Sequence, residues 1–197
     1  VLEKGEMMVG IVSPLGYGLT DSVSLFTHPV LNLLMTPNVW LRYSILSSDE
    51  RILSLEGGYL QNLLAWSDGD ENSYPGFVQL GLVFSFLTSR RIQGTVALGY
   101  VRRIDSELPS DAVYSRFGLD FLAGRRNLVM LRLNASASID RIEKPEIMMI
   151  YARNFGRTRL GIGAVVGETT IMTSVGDVLS KEMDWPVYPW ADFWWRF

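Results

Sequence analysis

Apolar and polar residues alternate with a period of two along most of the chain. This alternation places successive side chains on opposite faces of a β-strand. Residues 76–87 show it most clearly, with Val78 and Leu80 on one face and Gln79 and Gly81 on the other. The sequence contains no apolar run of about 18 residues, which would predict a transmembrane helix, and no sustained helical period. The pattern predicts an all-β protein.

The alternation predicts a single domain over residues 1–197 that contains twelve strands. The predicted strands cover residues 7–13, 17–27, 39–46, 51–60, 76–87, 92–102, 113–122, 127–139, 147–154, 158–166, 170–175 and 188–197. The count falls to ten if residues 170–175 and one early segment do not form strands. An even count returns both ends of the chain to one side of a closed sheet.

Two all-β architectures compete, a soluble β-sandwich and a transmembrane β-barrel. A sandwich buries its apolar faces and exposes its polar faces to water, and its strand lengths can vary. Here segments of about ten residues recur, and their polar faces are rich in Gly and Ser, which suit a crowded lumen. The apolar faces carry almost no charge from Gly76 to Val166, where lipid would penalise a charge by about 2–4 kcal/mol. The pattern therefore favours an antiparallel up-and-down transmembrane barrel over the sandwich.

The last ten residues, YPWADFWWRF, form the most aromatic of the predicted strands. Phe193, Trp195 and Phe197 fall on one face, and Asp192 and Arg196 fall on the other. The stretch resembles the closing strand of bacterial outer-membrane β-barrel proteins, in which a terminal Phe and alternate aromatics help the assembly machinery to recognise the chain. The resemblance implies an outer-membrane location, an assembly signal at Phe193, Trp195 and Phe197, and the barrel-assembly machinery as a partner.

The predicted strand count also fixes an expected orientation in the membrane. With both termini in the periplasm, the tight turns at residues 89–91, 124–127 and 155–157 are expected outside the cell. The connections at residues 28–37, 61–74 and 104–111 are then expected in the periplasm, the first of them with a short helical turn between two prolines. This orientation reverses the usual rule of short periplasmic turns.

Composition adds little to this picture but limits the function classes. A net charge of −3 argues against a general nucleic-acid binder. The absence of Cys is compatible with passage through an oxidising periplasm. We expect an export signal to have been removed before Val1, since an outer-membrane barrel must be exported.

Charged residues on the predicted polar faces are the candidate lining of the lumen. They are Arg42, Glu56, Arg116, Asp120, Arg132, Arg159, Asp192 and Arg196. Charges of both signs can form ion-pair ladders that fill a barrel, or they can line a narrow polar pore, which the excess of Arg would bias towards anions. The same register predicts that Phe117, Leu119, Leu131, Leu133 and Trp195 face lipid.

Paired arginines mark three of the predicted tight turns. The residues concerned are Arg90, Arg91, Arg125, Arg126 and Arg157, the last with Arg159 close by. Arginines are common beside lipid headgroups at membrane edges. Their planar guanidinium groups also suit bidentate pairing with the phosphates of lipopolysaccharide. Both interpretations place the turns at one membrane surface and make lipid or lipopolysaccharide the partner.

The sequence offers no strong catalytic, metal or cofactor motif. Ser24 and His28 could share a strand face, but there is no G-x-S-x-G motif and no identifiable acid partner. Asp68 and Asp70 have the spacing of a calcium loop without its Gly and its final acid, so a solvated turn is the better interpretation. We therefore predict no enzyme activity, no metal and no cofactor.

Two functions remain open at this point. The first is a narrow passive pore for small polar solutes. The second is a structural barrel that anchors or docks partners, including a periplasmic protein, in an envelope-spanning assembly. Short turns that form no plug or receptor domain favour the pore, whereas the longer proline-bounded connections favour the structural barrel.

Overall fold

The computed structural model describes residues 2–10, 14–33, 35–61, 76–104, 111–138, 145–167 and 187–197. Its strands are β1 (Met7–Gly10), β2 (Leu15–Gly18), β3 (Val23–Thr27), β4 (Asn38–Ser47), β5 (Arg51–Gln61), β6 (Gly76–Ser89), β7 (Ile92–Ile104), β8 (Asp111–Leu122), β9 (Asn127–Ser138), β10 (Glu146–Phe155), β11 (Thr158–Val166) and β12 (Val187–Arg196). The described residues also include a short helix, α1 (Pro29–Leu33). Within these ranges, no helix has the length and apolar character needed to cross a bilayer.

The twelve strands form one closed antiparallel barrel in which each strand pairs with its neighbours in sequence. The barrel closes where β1 pairs with β12, with Met8 opposite Arg196 and Val9 opposite Trp195. Next to these pairs the Phe197 N–H donates to the Met7 carbonyl at 2.9 Å, and the Met7 N–H donates to the Phe197 carbonyl at 3.3 Å. The predicted twelve-stranded, all-β, up-and-down barrel is thus confirmed.

The twelve strands are not all the predicted ones, because residues 17–27 form two strands rather than one. The Thr20 hydroxyl accepts hydrogen bonds from the backbone N–H groups of Ser22 and Val23, at 3.2 and 3.0 Å. A hydroxyl that bonds nearby backbone groups favours a turn over an extended strand. The chain therefore reverses at residues 19–22, and β2 pairs with β3. The predicted strand at residues 170–175 lies outside the described residues.

The additional turn changes which connections share a side of the barrel. Antiparallel pairing puts the turns after β2, β4, β6, β8 and β10 at the same rim as both ends of the described chain. We call this rim the terminal rim. All the odd-numbered strands end at the other rim, which we call the distal rim. The prediction that the tight turns and the termini lie on opposite sides is therefore wrong, because the early turn shifts the direction of every later strand.

The two faces of the sheet have opposite polarity, and the polar face is the inner one. Glu56 is 5% exposed and Asp192 is 3% exposed, whereas Leu82 on the strand beside Glu56 is 49% exposed. Apolar side chains cover the outside of the barrel along each long strand, whereas the inner faces of β9, β10 and β12 also carry an apolar cluster of Met130, Ile150 and Ala152, against which Trp190 and Trp194 pack. This distribution is the reverse of that in a water-soluble barrel or sandwich, whose apolar side chains face inward.

Several inward aromatic rings lie over glycines of a neighbouring strand. A β-carbon at Gly58 would lie 2.0 Å from the Trp40 ring, and one at Gly99 would lie 2.3 Å from the Tyr114 ring. Glycines on the polar faces thus leave the space that the large inner side chains occupy, as a crowded interior requires.

The connection from β3 to β4 contains the predicted helical turn, α1. The side chain of Asn38 forms hydrogen bonds to several residues of this connection. Asn38 donates to the Thr36 carbonyl at 2.9 Å and to Asn32 Oδ1 at 3.0 Å, and its own Oδ1 accepts the His28 N–H at 2.6 Å. Leu33, at the end of α1, is 83% exposed. The connection is therefore an ordered apolar projection at the distal rim.

Candidate functional site

The inner face of the barrel is the candidate site, and contacts between distant strands identify it directly. Arg116 on β8 lies 3.8 Å from Glu56 on β5, and Gln79 on β6 donates to the Tyr114 hydroxyl on β8 at 2.7 Å. Side chains of strands that are not neighbours in the sheet can meet only across the concave interior. These four residues therefore point into the barrel.

A network of charged and polar groups centres on Glu56. Arg42 donates to Glu56 Oε2 through Nε at 3.1 Å and through Nη2 at 2.5 Å. Gln79 donates to Glu56 Oε1 at 3.3 Å, and Arg116 approaches the same oxygen. Tyr114 completes the network as the acceptor from Gln79 and as the ring beneath the Arg116 guanidinium, 4.7 Å from its centroid. One buried carboxylate thus balances two arginines.

The other predicted lumen residues form separate interactions. Arg132 forms an ion pair with Asp120. Arg196 pairs with Glu6 at 2.7 Å. Asp192 is buried and accepts the Phe193 N–H at 2.8 Å. The structure therefore brings Arg42, Glu56 and Arg116 together and leaves the remaining predicted residues outside that network.

Arg159 differs from Arg42, Arg116, Arg132 and Arg196 in its partners. Its Nε donates to the Asn154 side-chain oxygen, and its guanidinium lies 5.4 Å from the centroid of the Trp194 ring. Both partners are neutral. In the described part of the chain, Arg159 forms no ion pair with a carboxylate.

Sequence reasoning missed several inner residues that take part in these interactions. The period of two assigns Gln79 and Tyr114 to polar faces but does not mark them as site residues, although their side chains hydrogen-bond to each other across β7. Glu146, one residue before a predicted strand, accepts a hydrogen bond from Asn134 at 2.6 Å. Glu146 carried no sequence signal, because the other inward residues near this end of β10 are the apolar Met148, Ile150 and Ala152.

A cavity of about 550 Å³ lies inside the barrel at the terminal rim. Its lining residues are Leu2, Met8, Phe26, Arg42, Asn154, Gly156, Arg157, Thr158, Arg159, Trp194 and Arg196. We call it the rim cavity. Leu2 belongs to a segment that folds inward before β1, where its N–H donates to the Ser24 hydroxyl at 2.8 Å. The rim cavity therefore combines arginines, apolar side chains and an aromatic ring in one concave space.

The Ser24 and His28 side chains do not form a catalytic pair. The Ser24 hydroxyl is fully buried against the Leu2 backbone, and His28 Nδ1 has no hydrogen-bond partner among the residues that the structure describes. Burial lowers the pKa of His28 below its ordinary value, and the nearby charge of Asp192 acts in the opposite direction. In the same ranges no three His, Cys, Asp or Glu residues are grouped as a metal site would require, and Asp68 and Asp70 lie outside them.

The predicted basic turns lie at the terminal rim, and their arginines are exposed. These are Arg90, Arg91, Arg125, Arg126 and Arg157. Because they share this rim with both ends of the chain, they cannot contact lipopolysaccharide on the cell surface if the termini are periplasmic. The proposed lipopolysaccharide contact and the proposed periplasmic termini therefore exclude each other.

The proposed assembly residues lie on the outer face of the closing strand and along the seam. The Phe193 and Trp195 rings are 5.1 Å apart, and the Trp195 and Phe197 rings are 6.0 Å apart. They form a continuous aromatic row beside β1.

No protein-family model matches this chain, and none of the curated proteins matches it significantly. The function is therefore argued from the geometry of the barrel.

Proposed function

We propose that the chain is an integral outer-membrane β-barrel without catalytic activity, which forms a narrow passive pore for small polar solutes. The observation that carries this proposal is the inverted polarity of the sheet, with charged residues inside and apolar residues outside. In water, so continuous an apolar exterior would favour aggregation. In lipid it is the stable arrangement.

The positions of the outward charges support the membrane location. In the described strands, the charged residues that face outward are Arg51, Arg102, Asp111 and Arg153. Each lies within the first or last three residues of its strand. Two of them form an ion pair, in which Arg102 Nε is 4.0 Å from Asp111 Oδ1. Charges near the membrane edges cost about 0–1 kcal/mol, far less than charges at the midplane.

The inner charges support a polar, anion-preferring path. Glu56 serves two arginines, and the hydrogen-bond and ring partners of Arg159 among the described residues are neutral, so positive charge predominates around these groups. A narrow lumen lined by arginine favours anions over cations. The rim cavity supplies one wide segment of such a path.

Single-cysteine labelling tests the membrane location. The chain has no native cysteine, so Leu131→Cys and Arg132→Cys each give one reactive thiol. With the barrel in lipid vesicles, position 132 should react with a small water-soluble thiol reagent, and position 131 should be protected by lipid. Rapid labelling at position 131 with protection at position 132 would overturn both the register and the membrane location.

Conductance in a planar bilayer tests the pore. We expect small single-channel currents with a preference for anions, and Arg132→Glu should shift the selectivity towards cations. Arg125→Glu, which makes the same charge change in an exposed turn, should have a smaller effect. A folded wild-type barrel without conductance would exclude the pore.

A structural barrel is the second candidate, and α1 is the observation that favours it. Leu33 and Met35 are exposed at 83% and 58% on an ordered connection at the distal rim. With periplasmic termini this rim faces away from the periplasm, so a partner would dock from the outside and not from the periplasm as first predicted. Absent conductance together with an unchanged fold would favour this function.

A further inference from the structure

The rim cavity has an unusual balance of charge. Four of its lining residues are arginines, Arg42, Arg157, Arg159 and Arg196, and none of the lining residues is acidic. Cavities that concentrate charge of one sign raise the local concentration of ions of the opposite sign.

Two of these arginines are already neutralised by carboxylates outside the lining. Arg42 pairs with Glu56, and Arg196 pairs with Glu6 through an Nε–Oε1 ion-pair contact of 2.7 Å and an Nη2–Oε2 hydrogen bond of 2.9 Å. Asp120 interacts electrostatically with Arg159 but is itself paired with Arg132. Arg159 is thus a half-buried cation whose described partners are an amide oxygen and an indole ring.

A half-buried guanidinium whose nearby carboxylate is paired with another arginine is incompletely neutralised, and it has more N–H donors than one amide oxygen can accept. Nε donates to Asn154, and among the residues that the structure describes none accepts a hydrogen bond from the terminal nitrogens of Arg159. These nitrogens suit the two oxygens of a carboxylate.

We propose that the rim cavity binds a small organic carboxylate, with its anionic group on Arg159. The apolar part of the ligand would lie against Met8, Phe26 and Leu2, which line the same space. A volume of about 550 Å³ falls within the range of small-molecule sites. This inference rests on the proposed pore for the route by which a solute arrives, but binding itself requires only the folded barrel.

Fluorine NMR of 4-fluorobenzoate with the folded barrel in lipid nanodiscs tests the proposal. We expect saturable binding of 4-fluorobenzoate and none of the neutral isostere 4-fluorobenzamide. Arg159→Gln should weaken binding by about tenfold or more, because a charge-assisted hydrogen bond is lost. Arg125→Gln, which removes an arginine at the same rim outside the cavity, should bind as the wild type does. Equal binding by wild type and Arg159→Gln would overturn the proposal, as would equal binding of the two probes.

A second measurement leaves Arg159 intact, in case its substitution prevents folding. Met8→Cys places a single thiol in the cavity lining. We expect 4-fluorobenzoate to slow its reaction with a small thiol reagent, whereas 4-fluorobenzamide should not. Inorganic phosphate should protect the thiol poorly, because it has no apolar part. Protection by phosphate at the same concentration would overturn the assignment to an organic carboxylate.

The two proposals can fail separately. Binding without conductance would exclude the pore and leave the carboxylate site standing. Conductance without binding would exclude the carboxylate site and leave the pore standing.

Discussion

At the scale of single residues, Glu56 is the centre of the polar network that joins β4, β5, β6 and β8 inside the barrel. It is 5% exposed, and it is the counter-ion of Arg42 at 2.5 Å and of Arg116 at 3.8 Å. Breaking a buried ion pair leaves an uncompensated charge in a medium of low dielectric constant, whereas an exposed pair contributes little. Substitution of Glu56 should therefore lower the stability of the barrel more than substitution of Arg116.

We predict that Glu56→Gln destabilises the barrel by about 1–3 kcal/mol, because Arg42 and Arg116, whose side chains are 32% and 41% exposed, both lose their carboxylate. Arg116→Gln should cost about 0–1 kcal/mol, because the Arg116 side chain is 41% exposed and Glu56 keeps Arg42. The midpoint of urea unfolding in micelles measures both values. A Glu56→Gln barrel as stable as the wild type would mean that water solvates both arginines.

The face of each charged residue was predictable from the sequence, but its partner was not. A period of two assigns Glu56 and Arg116 to the polar face, yet it does not say which strands meet across the interior. That depends on the curvature of the closed sheet, which brings β5 and β8 together. For the same reason the sequence could not reveal that Arg159 would have an amide oxygen and an indole ring as its described hydrogen-bond and ring partners.

At the scale of strands, the aromatic ring of one strand packs over a glycine of the next strand, where a β-carbon would not fit. Gly57 and Gly58 are adjacent on β5 but face opposite sides. A β-carbon at Gly58 would overlap the Trp40 ring at 2.0 Å, whereas one at Gly57 would meet only ordinary contacts of 3.9 Å or more. The two glycines therefore form a matched pair for substitution.

We predict that Gly58→Ala destabilises the barrel by about 1–3 kcal/mol, because Trp40 must move within a packed interior. Gly57→Ala should change the stability by less than about 0.5 kcal/mol. The temperature at which the folded band is lost in heat-modifiability gels compares the two. Equal losses for both substitutions would show that backbone flexibility, and not the Trp40 contact, accounts for the effect.

The early strands show where sequence reasoning fails at this scale. Residues 17–27 alternate well enough to suggest one strand, but the Thr20 hydroxyl bonds the next backbone N–H groups and ends it. The long strands from β4 onward were predicted correctly because each has many alternating positions. A segment of four or five residues has too few to separate a strand from a hairpin.

At the scale of the whole molecule, the seam between β1 and β12 is the point at which the barrel closes. We predict that Phe197→Asp lowers the fraction of folded, membrane-inserted protein, because it places a charge on the outer face beside the seam. Phe155→Asp is the matched control, since Phe155 has a similar exposure at the same rim but lies away from the seam. Heat-modifiable protein in isolated outer membranes is the readout. Equal losses for both variants would argue against a special role of Phe197.

The orientation of the barrel is the property that the corrected strand order changes most. Both ends of the described chain and the turns after β2, β4, β6, β8 and β10 lie at the terminal rim, and α1 lies at the distal rim. With periplasmic termini, the short turns are periplasmic and α1 faces the outside. This is the usual arrangement of outer-membrane barrels, and it removes the reversal that the sequence alone suggested.

We predict that single cysteines at the two rims label from opposite sides of the outer membrane. In intact cells, Leu33→Cys should react with a maleimide polymer too large for the lumen, because Leu33 is 83% exposed at the distal rim. Arg125→Cys lies in the exposed turn between β8 and β9, at the terminal rim, and should react only after the outer membrane is permeabilised. Labelling at position 125 but not at position 33 in intact cells would place the termini outside. That result would refute the periplasmic termini, return the basic turns to the lipopolysaccharide side, and make the rim cavity the outer mouth of the barrel.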